Sequence, residues 1–483
     1  MGAKVTIVGA GVGGLAAAAR LAHDGYDVEV LERLPECGGR NHLLEVSGFK
    51  FDMGPSFVLM PDFFEEVFSY CGQSLKDYLD LRPIDPSYKI FFPDGDIFTV
   101  YRNSEHTKEE MERIEKGSAK GFDAFIRETS RIYGMIRPLL YKSVTYSSLF
   151  NPYYWGLVGR IHAFQSYWQL ARKYFKSEKL CYAFTFEAMF MGVSPYQAPA
   201  FYSIISYTDH AQKIFHPMGG MYKIPLALEK LALKFGARIF YNCPVEKISK
   251  PGRKILVKHA KGVSEADYAV VNADYAYSQA DLLKRRIPKY KYSCSTYLVY
   301  LGLKDKLKNL AHHNLFFSTD LDRNLRQIFD EKTVPQDPSF YAHIPTVTDP
   351  SLAPDGKEIL YLLVPVPNLL NAKDSFCRHE EAINKLVFEK INKVCPCRLE
   401  DIVETRNCFY PEDFVSRYNV KYGATFGLAH NLAQSAFFRP ANTDPRIKNL
   451  YYAGASTQPG GGLPVVIASS RIVADLINGK KAL

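Results

Sequence analysis

A chain of 483 residues, 47% of them hydrophobic, can bury a large core and divide into two or three subdomains, which excludes a disordered polypeptide. No window of eighteen or more apolar residues occurs and the N-terminus lacks an apolar signal stretch, so neither a bilayer-spanning helix nor a secretory signal is expected. The formal net charge is +9, and nine scattered cysteines without a C-x-x-C pair argue for the reduced cytosol, with neither a disulfide framework nor a metal site.

Lys4 to Val8 reads as a strand buried on both faces, and it runs into Gly9-x-Gly11-x-x-Gly14 with Gly13 inside the same turn. An alanine-rich helix follows to near Gly25, and a second strand, Asp27 to Leu31, delivers Glu32 and Arg33. This is a βαβ dinucleotide fingerprint in its required context. Gly9 permits the tight turn, Gly11 lets backbone approach a pyrophosphate, and Gly14 allows close packing of helix on strand. The helix N-terminus offers unpaired N–H groups to the phosphates. Glu32 is placed to accept from both ribose hydroxyls, which a 2′-phosphate would disrupt.

Gly38-Gly39-Arg40 and Asp52-Met53-Gly54-Pro55-Ser56 come next, then a helix over 57–72 and short strands over 81–100 with turns at 93–96. Residues 107–115 read as an exposed helix start, and 121–202 as mostly helical and rich in Phe and Tyr. A turn of small residues around Gly219-Gly220 precedes an amphipathic helix, Lys223 to Phe235, and strands follow near 238–241 and from Val245. Another parallel-type strand runs from Ala269 and ends in a polar turn at Asp274. A strand reaching a dinucleotide from so late in the chain implies a discontinuous domain, interrupted by an insertion over 75–215. Residues 290–410 read as a separate mixed sheet with strands over 295–302 and 359–365 and a helix over 379–393, the natural wall of a substrate cavity. A last strand over 449–454 leads into Gln458-Pro459-Gly460-Gly461-Gly462-Leu463-Pro464 and a helix to Asn478, with Pro464 at home in the first turn.

Glu32-Arg33 followed by Gly38-Gly39-Arg40 resembles flavoenzymes of the amine oxidase and carotenoid desaturase superfamily. Tyr452 to Pro464 resembles the C-terminal signature of bacterial-type carotenoid desaturases. The segments at 51–57, 202–205, 219–222, 292–295, 426–428, 432–435 and 438–440 resemble the branch acting on the thirty-carbon precursor 4,4′-diapophytoene (dehydrosqualene). The resemblance implies an α/β fold, with a Rossmann-type FAD-binding domain over 1–75, 215–289 and 411–483. It further implies an inserted mixed-sheet substrate domain over 76–119 and 290–410, and a helical, membrane-facing subdomain over 120–214. FAD is expected at Gly9, Gly11, Gly13, Gly14, Glu32, Arg33, Gly39, Arg40, Gly54, Pro55, Ser56, Val245, Asp274, Gly454, Ala455, Gly462, Leu463, Pro464 and Val465. The last helix would then face the pyrimidine end of the flavin, where its dipole favours the reduced state. Relatives commonly carry histidine where this chain has Gln458, expected beside the flavin ring.

The implied reaction removes two hydrogens from a CH₂–CH₂ unit beside a double bond of a linear polyene, so the protein mainly aligns substrate with cofactor and excludes water. Glu187, the carboxylate expected near the cavity, is the candidate base, with His216 a second choice. Phytoene desaturation, terminal-methyl oxidation and carotene isomerisation are alternative activities on the same site. A non-enzymatic prenyl-chain carrier would not need Glu32, Gly39-Arg40 and the C-terminal glycines, and an amine oxidase lacks its covalent cysteine here because Thr457-Gln458 occupies that stretch.

Residues 120–180 carry +7 of the net charge, with both tryptophans, Trp155 and Trp168, among Tyr146, Phe150, Tyr153, Tyr154, Phe164 and Tyr167. Cations interleaved with aromatics suit an anionic lipid surface, so a cytoplasmic chain peripherally bound to the membrane is expected. No nucleic-acid motif accompanies the charge, and the oligomeric state is not legible.

Overall fold

Lys4–Val8 lies at the centre of a five-stranded parallel sheet in a computed structural model describing residues 2–145, 148, 150–370 and 375–480. The strand order is Leu450–Tyr452, Tyr268–Val271, Lys4–Val8, Asp27–Leu31, Arg238–Phe240, and every pairing is parallel. Alternate residues of these strands enter different cores. Val5, Ile7, Val28, Val30 and Val270 pack with the helices Val12–His23, Lys223–Lys234 and Leu463–Ile477. Val8, Leu31, Val271 and Tyr452 instead pack with an antiparallel meander, Val245–Ser249, Ile255–His259 and Gly262–Ala266. Ala16 to Ala19 are fully buried, and their small side chains let the neighbouring helices approach closely. This is the expected Rossmann-type α/β arrangement.

The second sheet has seven strands, ordered Val403–Phe409, Ser295–Leu303, Glu358–Val366, Phe340–His343, His313–Phe316, Tyr88–Phe91 and Ile97–Val100. Its two nine-residue strands are covered on both faces. Tyr297, Val299, Leu301, Leu360 and Leu362 pack beneath Ile383, Val387 and Ile391 of the helix Glu380–Asn392, whereas Leu298, Tyr300, Ile359 and Tyr361 face the interior shared with the first sheet. The early hairpin at 88–100 completes this sheet through a parallel pairing with His313–Phe316.

Several boundaries differ from the sequence reading. The helix expected over 57–72 is Pro61–Tyr70, which leaves 57–60 outside it, with Met60 in the left-handed conformation at the helix start. The helix expected from 107 begins at Ser104, because the Asn103 side chain accepts the Glu105 N–H as its cap. His216 and Pro217, read with Gly219-Gly220 as one turn, instead belong to the strand Phe215–Pro217, which pairs with Leu81–Pro83. All nine cysteines are free, and no described helix is long and apolar enough to cross a membrane.

Candidate functional site

A cavity of about 560 Å³ runs from the C-terminal ends of the parallel strands to the inner face of the seven-stranded sheet. Among the residues proposed from sequence for the cofactor, all but Gly14 lie on its wall. A Cβ on Gly14 would come 2.1 Å from the Gly9 carbonyl, so that glycine serves helix-on-strand packing.

Asn272 is the hub of this end. A Cβ on Gly11 would lie 2.7 Å from its Oδ1, and one on Gly13 would lie 2.7 Å from its Nδ2. Nδ2 donates to the Ala453 carbonyl at 2.8 Å, which ties the fingerprint to the last strand. The Gly38-Gly39-Arg40 turn docks here as well, with the Gly38 N–H donating to the Ala10 carbonyl at 2.9 Å. Glu32 accepts N–H groups from Ala10 at 2.7 Å and Leu34 at 2.8 Å. Burial raises its pKa, and these two backbone bonds oppose the rise. Arg40 donates to the Thr425 carbonyl at 2.8 Å; burial lowers its pKa, and the nearby Asp274 charge opposes that.

The preceding segment is anchored from below. Asp52 accepts N–H groups from Met221 at 2.8 Å and Tyr222 at 3.1 Å, fixing the Gly219-Gly220 turn before its helix, and burial pushes its pKa up to about 6. A Cβ on Gly54 would come 1.9 Å from the Arg40 carbonyl, so the two wall segments touch through backbone alone.

At the C-terminal loop the ring of His430 lies beneath Gly460 and Gly461. Burial pushes its pKa well below the usual imidazole value, so it is neutral. Nε2 accepts the Gly461 N–H at 3.0 Å, which leaves the proton on Nδ1 to donate to the Met191 carbonyl at 3.2 Å. Arg439, fully buried, donates to the carbonyls of Thr457 at 3.1 Å, Gln434 at 3.2 Å and Ala455 at 2.5 Å. Sequence reasoning assigned no role to Asn272, His430 or Arg439. Asn272 and Arg439 lay inside segments singled out there, and what distinguishes all three is contacts made across the fold.

Three expectations need correction. Gln458 is not on the cavity wall; its Nε2 donates to the Val144 carbonyl at 2.9 Å and its Oε1 accepts the Val144 N–H at 2.8 Å, so it fastens residues 143–144 to the loop. Glu187 is also off the wall. It lies on the 3₁₀ turn Phe186–Met191, which directs Phe186 and Phe190 at the cavity and Glu187 into the core, where Tyr167 Oη donates at 2.5 Å and Ser206 Oγ at 2.8 Å. His216 likewise lies outside the wall, fully buried with Nε2 3.5 Å from Asp349 Oδ2. Among the described residues the wall carries two carboxylates, Glu32 and Asp274. The far end is apolar and aromatic: Phe186, Phe190, Leu298, Phe316, Leu325, Phe340 and Leu363 line it.

The glycine-cleared backbone around Asn272, the acidic Glu32 past the second strand and the three glycines at 460–462 fit a dinucleotide with a flat ring. Residues 12–478 match the family described as flavin containing amine oxidoreductase. A zeta-carotene-forming phytoene desaturase of Myxococcus xanthus is 39% identical over 98% of this chain and 93% of its own length. A 4,4′-diapophytoene desaturase (4,4′-diapolycopene-forming) of a Methylomonas species is 34% identical over 99% and 95%. Cyclohexylamine oxidase from Brevibacterium oxydans IH-35A has the same fold, with a TM-score of 0.61, 14% identity and coverage of 99% of this chain and 100% of that one.

Proposed function

We propose, for a chain that belongs to the flavin-containing amine oxidoreductase family and within it to the carotenoid desaturases, that the substrate is the thirty-carbon polyene precursor 4,4′-diapophytoene. The enzyme is an FAD-dependent oxidoreductase acting on CH–CH groups. The observation that carries the reading is the continuity of one cavity, from the glycine-cleared, Glu32-bearing end to a wall of Phe, Leu and Tyr side chains. Such a wall suits an extended hydrocarbon.

FAD would be held by Gly9, Gly11, Gly13, Glu32, Arg33, Gly39, Arg40, Gly54, Pro55, Ser56, Val245, Asp274, Gly454, Ala455, Gly462, Leu463, Pro464 and Val465, and would supply the two-electron acceptor for the CH₂–CH₂ unit. The chain itself does the positioning. Asn272, His430 and Arg439 hold the two glycine loops at fixed separation, so the polyene and the ring site stay aligned. Phe186, Phe190 and the inner face of the seven-stranded sheet exclude water from the reacting bond. We also read 120–214 as a membrane-facing subdomain that admits substrate from the bilayer, with the domain limits given above.

The forty-carbon precursor phytoene is the second reading, favoured by the 39% identity to a phytoene desaturase. Both are separated by one experiment: purified protein with FAD is given 4,4′-diapophytoene and phytoene in matched liposomes, and conjugated products are followed by absorbance and mass. Faster conversion of the thirty-carbon substrate is expected. Equal or faster conversion of phytoene would overturn the chain-length assignment, and no loss of two-hydrogen units from either would overturn the desaturase substrate altogether.

A further inference from the structure

Strands His313–Phe316 and Phe340–His343 pair so that His313 lies opposite His343, and His312 immediately precedes the first of them. All three rings are buried. His343 Nε2 is 3.0 Å from His312 Nε2, and one ring nitrogen of each histidine lies within 4.8 Å of the other two. On two of the rings the other nitrogen is already occupied by a hydroxyl group. His312 Nδ1 is 2.6 Å from Thr348 Oγ1, and His313 Nδ1 is 2.6 Å from Tyr341 Oη.

The proton positions follow from that chain. Tyr341 Oη donates its own hydrogen to Ser56 Oγ at 2.8 Å, so it can only accept from His313, whose proton is therefore on Nδ1. His313 Nε2 is then a bare lone pair, buried and without a hydrogen-bond partner. A hydrogen bond between His312 and His343 would satisfy that pair and leave the third lone pair empty. Such a buried orphan is unfavourable unless something fills it.

We propose that His312, His313 and His343 form a binding site for one divalent transition-metal ion of the zinc class, coordinated through their Nε2 atoms. Imidazole suits zinc, copper and nickel better than magnesium or calcium. Ligand bonds of about 2.0–2.1 Å in a tetrahedron put neighbouring nitrogens about 3.3 Å apart. The 3.0 Å pair is close to that, and the third ring nitrogen, within 4.8 Å of the other two, reaches it by an inward shift of at most about 1.5 Å. The hydroxyl partners at Nδ1 match the usual outer shell of a metal-bound histidine, which fixes the tautomer and aims Nε2 at the ion. His313 lines a small side cavity of about 20 Å³ instead of the main one, so the ion is structural: it clamps two strands and, through Tyr341, the Ser56 segment.

The test uses the purified flavoprotein incubated with excess zinc sulfate, then passed through gel filtration in zinc-free buffer. Elemental analysis is expected to find about one zinc per chain, and His343→Gln, with its flavin retained, less than about a fifth of that. Zinc-edge X-ray absorption on the wild type should show three nitrogen ligands at about 2.0 Å. Wild-type protein that leaves the column without zinc overturns the site, as does a sulfur-dominated shell or equal zinc in His343→Gln. The absorption measurement needs no variant, so it decides the matter even if His343→Gln fails to fold.

Discussion

Asn272 gives the glycine fingerprint a reason that sequence alone assigns to the ligand. Gly11 and Gly13 are bare because a side chain would meet Asn272, whose own amide is committed to the Ala453 carbonyl. Gly11→Val therefore forces the helix N-terminus off the last strand, where the phosphates and the ring loop must converge. The overpacking costs about 1–3 kcal/mol, less than the stability of a folded chain, so the variant should fold but purify without flavin absorbance. Full flavin content in that variant would show that the loop tolerates the shift. At this scale the fingerprint was legible because its residues are neighbours in sequence and their chemistry is local. Glu187 and Gln458 were misread because each lies on a short irregular segment, where adjacent side chains point opposite ways and periodicity gives no direction.

Among the elements, regular ones with long apolar runs were legible and short ones were not. Ser295–Leu303 and Glu358–Val366 announce themselves as nine-residue apolar strands, whereas His313–Phe316 and Phe340–His343 have four residues each and carry histidine, so no pattern marks them. The 3₁₀ turn Phe186–Met191 and the following irregular helix bring Glu187 and Asp209 together in the core. Burial pushes Asp209 up to about 7, and burial together with the Asp209 charge raises Glu187 further, so the pair shares a proton near neutrality. A carboxyl whose folded pKa exceeds its unfolded value near 3.9 contributes stability below that value and loses it as pH rises to the folded pKa, here over about pH 4 to 7. Asp209→Asn removes that dependence. Its melting temperature relative to wild type should climb by a few degrees between pH 4 and pH 7 and then level off, read by differential scanning fluorimetry. A difference that stays constant with pH would mean that Asp209 does not titrate in this window.

For the whole molecule, the surface divides the sequence's basic aromatic stretch into two unequal parts. Arg137 and Lys179 are paired with Asp62 and the Asp94–Asp96 turn outside this stretch, and Arg131 with Glu128 inside it, so part of the basic character of 120–180 is satisfied within the fold. Tyr154 and Tyr167 are buried, Trp168 packs on Tyr182 and Tyr196, and Tyr146 lies outside the described residues. What projects is compact: Phe150 is 89% exposed, Phe164 76%, Trp155 60% and Tyr153 59%, on or beside the helix Pro152–Arg160. Leu140, on the turn Arg137–Tyr141 earlier in the same basic stretch, lines the cavity, so this stretch contributes both to the substrate wall and to the exposed rings. Each ring entering lipid is worth about 2–4 kcal/mol, against about 1 kcal/mol for each cation near an anionic surface. Rings, not charges, should therefore decide attachment. In vesicle flotation the variant Phe150→Ser, Trp155→Ser, Phe164→Ser is expected to lose binding by more than about a hundredfold, while Arg172→Glu, Lys173→Glu loses about tenfold or less. Wild-type binding should persist on neutral vesicles and at high salt, because apolar insertion is not screened. Attachment that vanishes at high salt and survives the loss of the three rings would place the contact on the basic surface instead.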